Sequence, residues 1–213
     1  IVFTTPGGKS TYRWDHQSRQ VSIVATAGMP AVNDLTFTAG GDATSPALND
    51  YGEVAFQAMV KDSAGKIRPA IFFLGRDGRL VPVLLAGQEV AGVGPIQPTP
   101  GQGGEILSLN NAGVVAFQAR RMGDKVDSVF LWENGTITPV ALPGADAPGG
   151  GRFVWVGGPQ VNSKNSNVAV SGNLDGNSKD WGLYMLTADH LVAVVVHGQE
   201  MPGGGQFRGI AGG

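Results

Sequence analysis

Read along its length, the chain alternates short apolar runs with breaks rich in glycine, proline and asparagine. The runs are strand-sized: IVF at 1–3, VSIVATAG at 21–28, EVAFQAMV at 53–60, GVVAF at 113–117, SVFLW at 128–132 and LVAVVVHG at 191–198. Side chains on a strand point alternately to its two faces, so a Val-x-Phe step places two apolar groups on one face. None of these runs approaches the ~20 apolar residues of a membrane-spanning helix. The pattern predicts an all-β protein of many short antiparallel strands, with no helix longer than two turns.

The runs repeat. Asn-x-x-Gly-x-Val-Ala-Phe occurs at Asn49 to Phe56 and again at Asn110 to Phe117. Degenerate forms are VAV at 168–170 and IVF at 1–3, so the third residues of the phrase are spaced by 53, 61 and 53. A second marker follows each copy, an apolar run ending in Gly28, Gly87, Gly144 and Gly198. Fourteen residues before these glycines stand Trp14, Phe73, Phe130 and Tyr184; four residues before them stand Val24, Val83, Val140 and Val194. A fixed aromatic or β-branched position in each copy suits a shared core layer. The repeats are approximately 1–52, 53–113, 114–166 and 167–213, each with four short strands: a before the Asn turn, b at Val-Ala-Phe, c at the aromatic run and d ending in the marker glycine.

Turn chemistry explains the repeated phrase. Gly52 and Gly113 can adopt the positive φ that a tight hairpin demands. Asn49 and Asn110 can accept backbone N–H groups two residues on. The copy at 162–170, NSKNSNVAV, lacks the glycine and carries one extra residue, which predicts a distorted turn. Sheets of this size cannot bury both faces alone, and the expected solution is a single β-propeller domain, 1–213, of four blades with four antiparallel strands each. The chain opens on a strand b and ends on a strand a, GQFRGIAGG at 205–213. Pairing of 207–211 with 1–5 is therefore expected to supply the first blade's strand a and close the ring. The opening on an apolar strand without an initiator Met reads as a processed or excised segment of a longer product.

Composition narrows the classes. A formal charge of −2 leaves no electrostatic footprint for nucleic acid. With 34 glycines and 13 prolines in 213 residues, the chain stays below the ~25–30% that signals disorder. The absence of cysteine removes disulfides, cysteine–zinc sites and thiol catalysis together.

The Asn-x-x-Gly-x-Val-Ala-Phe phrase, with PGGG loops between copies, resembles the NxxGxxAF tandem-repeat proteins, exported bacterial proteins that often carry a C-terminal surface-sorting ("choice-of-anchor") segment. The resemblance is specific in Asn49 to Phe56 and Asn110 to Phe117. It implies a secreted or cell-surface location. The a–b turn also resembles that of TolB-type propellers, by analogy only.

No catalytic set stands out. His16, His190 and His197 belong to no spaced metal motif, and there is no nucleophile elbow, P-loop or dinucleotide fingerprint. NLDGNSKD at 173–180 starts like a calcium loop but lacks the sixth-place glycine and the twelfth-place glutamate. One polar column repeats two residues after the marker glycine: Glu89, Asp146 and Glu200, with Pro30 in the first copy. These carboxylates either accept N–H bonds from their own glycine loops or form a ring at one mouth of the propeller. Such a ring is the candidate ligand-binding site, for sugar hydroxyls or a cation such as calcium; no other cofactor is expected. The expected role is non-enzymatic binding or adhesion to extracellular glycan or protein. Two alternatives stand beside it: a self-associating structural array, and a glycan-active enzyme using the carboxylate ring.

Overall fold

Antiparallel ladders join the apolar runs into four sheets. The computed structural model describes residues 1–5, 10–38, 46–99, 106–175, 181–188 and 190–209. The first sheet has the order β1(Val2–Thr4)-β2(Ser10–Trp14)-β3(Val21–Thr26). The second runs β4(Thr36–Phe37)-β6(Val54–Lys61)-β7(Ile67–Leu74)-β8(Leu80–Leu85), with β5(Ala47–Leu48) also on β6. The third runs β9(Gln88–Val90)-β10(Gly94–Pro98)-β12(Val115–Arg121)-β13(Ser128–Glu133)-β14(Thr136–Ala141), with β11(Leu107–Leu109) also on β12. The fourth is β15(Phe153–Val161)-β16(Val168–Leu174)-β17(Trp181–Thr187)-β18(His190–Val196). Among the described residues there is no helix, and the chain is all-β.

The sheets pack face to face in chain order. One core joins Val24 and Ala25 of the first sheet to Phe56, Val60 and Phe72 of the second. Another joins Ile71, Val83 and Leu84 of the second to Phe117 and Phe130 of the third. A third joins Val129, Val140 and Ala141 of the third to Val170 and Tyr184 of the fourth. The two middle sheets thus bury apolar side chains on both faces. Burying one such side chain fully is worth about 1.5–3 kcal/mol.

The ladders correct the aromatic column read from the sequence. Phe3 pairs with Tyr12, Phe56 with Phe72, Phe117 with Phe130 and Val170 with Tyr184. The equivalent residues are therefore Tyr12, Phe72, Phe130 and Tyr184. Phe73 sits one residue off and faces the third sheet, 5.7 Å from Trp132 between ring centroids. Trp14 sits two off. The distance from strand c to the marker glycine varies by one or two residues, and a one-residue slip turns a side chain to the opposite face. The valine column is one structural position. Each c–d ladder shifts register after Thr11, Ile71, Val129 or Leu183, and the unpaired residue opposite is Val24, Val83, Val140 or Val194. A bulge at the same place in four sheets bends strand d alike in each.

The closing ladder between 207–211 and 1–5 does not form among the described residues, where 207–209 belong to no strand. Phe207 is engaged elsewhere: its carbonyl accepts from Gly198 N–H and its N–H donates to the Gln199 carbonyl. Gly209 lies along Trp181 of the fourth sheet. Residues 210 and 211 lie outside the described residues.

The repeated asparagine does more than cap its own turn. Asn49 Oδ1 accepts the N–H groups of Tyr51 and Glu53 at 3.1 and 3.0 Å. Asn110 Oδ1 accepts those of Ala112 and Val114, both at 2.9 Å. The opposite end of each amide crosses to the next sheet's turn. Asn49 Nδ2 donates to the Asn110 carbonyl and Asn110 Nδ2 to the Asn165 carbonyl, each at 2.9 Å. Asp50 and Asn111 reinforce the first crossing, the Asp50 N–H donating to Asn111 Oδ1 and Asn111 Nδ2 to Asp50 Oδ2. Gly52 and Gly113 have φ of 79° and 78°. The fourth sheet's turn is one residue longer, its ladder closing from Asn162 to Asn167 where the others close from 49 to 53 and 110 to 114.

In the fourth sheet the bulk comes from a different place. Phe153 and Tyr184 meet edge to face at 4.8 Å, above the cross-strand pair Gly172 and Gly182. A Cβ on Gly172 would stand 2.6 Å from the Phe153 ring, and one on Gly182 2.6 Å from the Tyr184 hydroxyl. That hydroxyl is buried without a partner, and burial pushes its ionisation above the ordinary value of 10.0.

Two expectations follow from the turns and from this packing. Asn110→Ala strands two N–H groups and a carbonyl, and lowers the free energy of unfolding in urea by about 2–3 kcal/mol. Asn162→Ala, in the exposed turn, costs about 0.5–1 kcal/mol. Equal losses would show that the crossing bond contributes nothing. Gly172→Ala overpacks the aromatic pair and costs about 1–3 kcal/mol, whereas Tyr184→Phe is neutral or stabilising. Because the folded Tyr184 binds its proton more tightly than the unfolded one, its contribution is complete below pH 10.0 and fades as pH rises above it. Tyr184→Phe removes that alkaline loss, and thermal melts across pH 9–11 read it out.

Candidate functional site

Antiparallel connectivity sorts the loops to two ends. Strand b leaves the Asn turn and strand c returns to that end, so the a–b and c–d turns share one end. The marker-glycine loops and the b–c turns share the other.

The glycine end is built from backbone. In all four copies the marker glycine's N–H donates to the carbonyl nine residues on: Gly28 to Phe37, Gly87 to Ile96, Gly144 to Phe153 and Gly198 to Phe207. Gly149, Gly150 and Gly151 have φ of 92°, 107° and 79°, and Gly203, Gly204 and Gly205 have 91°, 95° and 88°. Three successive left-handed residues explain the PGGG spelling. The three acids occupy equivalent places in these lobes. Glu89 pairs with Pro95 in the ladder of β9 and β10, Asp146 bridges to Arg152 and Glu200 to Gln206. All three are exposed, and Asp146 Oδ1 takes Arg152 Nε at 3.1 Å. The structure does not bring them together around a cation: among the described residues no three acidic or histidine groups are placed to hold a metal ion. Each acid stands on its own loop, Glu200 bordering a shallow cleft of about 210 Å³ with Met201 and Gln206.

Of the remaining sequence candidates, His190 and His197 are engaged in contacts of their own. In the 173–180 segment, Asp175 accepts the Arg152 N–H at 2.6 Å, and 176–180 lie outside the described residues. Another cleft at the glycine end, of about 330 Å³, is lined by Val93, Val126 and Leu142 together with Arg121, Asp124 and Lys125.

The Asn end holds a polar cleft of about 390 Å³ between the first and second sheets. One wall is the strand end and turn at 13–17: Arg13, Trp14, Asp15, His16 and Gln17. The other is the Asn turn at 48–52. Arg13 holds the walls together, its guanidinium donating to the Gly52 carbonyl at 2.8 Å, while its buried Nε has no partner. Asp15 Oδ1 accepts the Ser18 N–H and hydroxyl at 2.7 and 2.8 Å, and these bonds hold its carboxyl below the usual range. Tyr51, half exposed, is fixed by Arg76 lying 4.0 Å over its ring. His16 stands edge-on to Trp14. An ionised acceptor, a guanidinium, an imidazole, an amide and two aromatic residues within a cleft of drug-sized volume are suited to holding a polar ligand by hydrogen bonds and ring contact.

The candidate acids Glu89, Asp146 and Glu200 lie at the opposite end. The signal that marks the Asn end is a departure from the repeat. In ladder register Arg13 stands where the other sheets have Phe73, Leu131 and Met185. Phe73 packs under Gly113 as Arg13 packs under Gly52. A charge at an apolar repeat position is visible in the sequence once the register is known.

Comparison with known proteins adds a family and little else. The crystal structure of TolB from Acinetobacter baumannii aligns over 93% of this chain at 10% identity with a TM-score of 0.31, and the chain spans 52% of that protein's length. No curated protein matches the sequence. No helix among the described residues is long and apolar enough to cross a membrane. Residues 101–211, more than half of the chain, match the model of a family described only as a family of unknown function, and on that match the chain belongs to DUF7453.

Proposed function

We propose that this chain is a non-enzymatic binding module, displayed outside the bacterial cell, that takes a glycan in the cleft between the 13–17 strand end and the 48–52 turn. The four sheets, each packed face to face on the next, are read as blades of a β-propeller. The observation that carries the proposal is the composition of the cleft, about 390 Å³. Sugar hydroxyls are matched by carboxylate, guanidinium and amide groups, and sugar C–H faces by an aromatic ring such as Tyr51. The extracellular location rests on the resemblance to exported repeat proteins. Protein ligands fit the same cleft less well, because its lining is mostly polar and its walls are turns.

Glycan-array screening followed by calorimetry tests this. Binding is expected without added metal and unchanged by chelator. Tyr51→Ala is expected to weaken it by about tenfold or more, 1.4 kcal/mol per decade. Glu89→Gln and Glu200→Gln are expected to leave it unchanged. Chelator sensitivity, or loss with the glutamate variants and not with Tyr51→Ala, would move the site to the glycine end.

A further inference from the structure

The strand-d bulge works as a plug. Val24, Val83 and Val140 point from their bulges into the following sheet, and they are 2%, 1% and 9% exposed. Each shares a core with a b–c pair there: Val24 with Phe56 and Phe72, Val83 with Phe117 and Phe130, Val140 with Val170 and Tyr184. The same contact is thus made three times along one chain, from four bulges and four b–c pairs.

One plug and one socket are left over. Val194, the fourth bulge valine, is 49% exposed. Phe3 and Tyr12, the b–c pair of the first sheet, are stacked at 5.6 Å outside every core cluster of the described residues, and Phe3 is 41% exposed. Ile23, opposite Tyr12 in the ladder, is 56% exposed. Burial differs at these positions while the geometry does not, since the register shift at Leu183/Tyr184 matches those in the three sheets whose valines are covered. The two surfaces belong to the first and the fourth sheet, which no core cluster of the described residues joins.

We infer that the fourth sheet docks on the first sheet of a second copy of this chain, Val194 entering the Phe3–Tyr12 pair as the three internal valines enter theirs. The contact continues the interface that already joins the sheets within the chain. It is heterologous: each copy offers one plug and one socket, so two copies close into a ring if the curvature suits, and otherwise add head to tail. Covering both faces also buries the exposed side chains of Phe3, Ile23 and Val194.

Heterologous pairing makes a specific prediction for mixtures. In sedimentation equilibrium the parent chain is expected to show at least twice the mass of one chain as concentration rises. Val194→Glu and Ile23→Glu, both at exposed positions, are each expected to remain single chains. An equimolar mixture, in which one intact plug faces one intact socket, is expected to recover a dimer and nothing larger. Because the chain has no cysteine, cross-linking gives an independent readout. Ile23→Cys mixed with Val194→Cys is expected to form a disulfide-linked pair at least tenfold faster than either alone. The inference is overturned if the parent stays a single chain at every concentration, or if it associates while the glutamate variants fail to complement. It is equally overturned if Ile23→Cys links to itself as fast as to its partner.

Discussion

A β-sheet with apolar residues on both faces has to be covered twice, and that requirement governs this chain. The second and third sheets alternate between two cores along their b and c strands: Phe72 faces back while Ile71 faces forward, and Phe130 faces back while Val129 faces forward. Neither sheet could be stable in isolation. The repeat is therefore the smallest covalent unit but not an independently folding one, and stability resides in the interfaces between neighbours. The bulge makes those interfaces alike. By inserting one residue in strand d, each of the first three sheets presents a branched aliphatic side chain to the layer ahead of it.

The asparagine crossings fix the spacing that the apolar interfaces leave loose. Hydrophobic contact is non-directional, so stacked sheets could slide by a fraction of a residue at little cost. An amide that accepts from its own turn and donates to the neighbour's carbonyl tolerates no such slide. The buried Asn110, 1% exposed, meets its hydrogen-bonding demand through both roles at once. Between the first and second sheets Arg13 performs the crossing with its guanidinium, and the polar cleft lies beside it.

Strand identity, hairpin order and the longer fourth turn were legible in the sequence because each depends on local chemistry: period-two alternation, glycine at positive φ, asparagine over its own turn. The bulge valines were visible as a column though not as bulges, since their distance to the marker glycine is constant. The aromatic layer was misread at Phe73 and Trp14, because counting from that glycine crosses the bulge and a hairpin of variable fit. The ladder between strands b and c is the truer ruler. The cleft was hidden for a similar reason. Repetition draws the eye to Glu89, Asp146 and Glu200, which recur at equivalent, exposed places in the glycine lobes. The residues that gather at the Asn end are the ones that break the repeat. Pairing with the first strand is absent at the described residues 207–209, where the backbone of Phe207 is already taken by its own glycine lobe.

The glycine lobes set a limit on how this protein can vary. Where three successive residues must be left-handed, any side chain carries a penalty of about 1–2 kcal/mol per position, so the lobes can hardly change their chemistry without changing their shape. The lobes at 149–151 and 203–205 are in that sense written in backbone and hold little information. The turns at the opposite end have right-handed or extended positions to spare, and substitutions there cost far less. A chain of this design can acquire a new specificity at that end without rebuilding the other, much as a key blank is cut along one edge and gripped by the other.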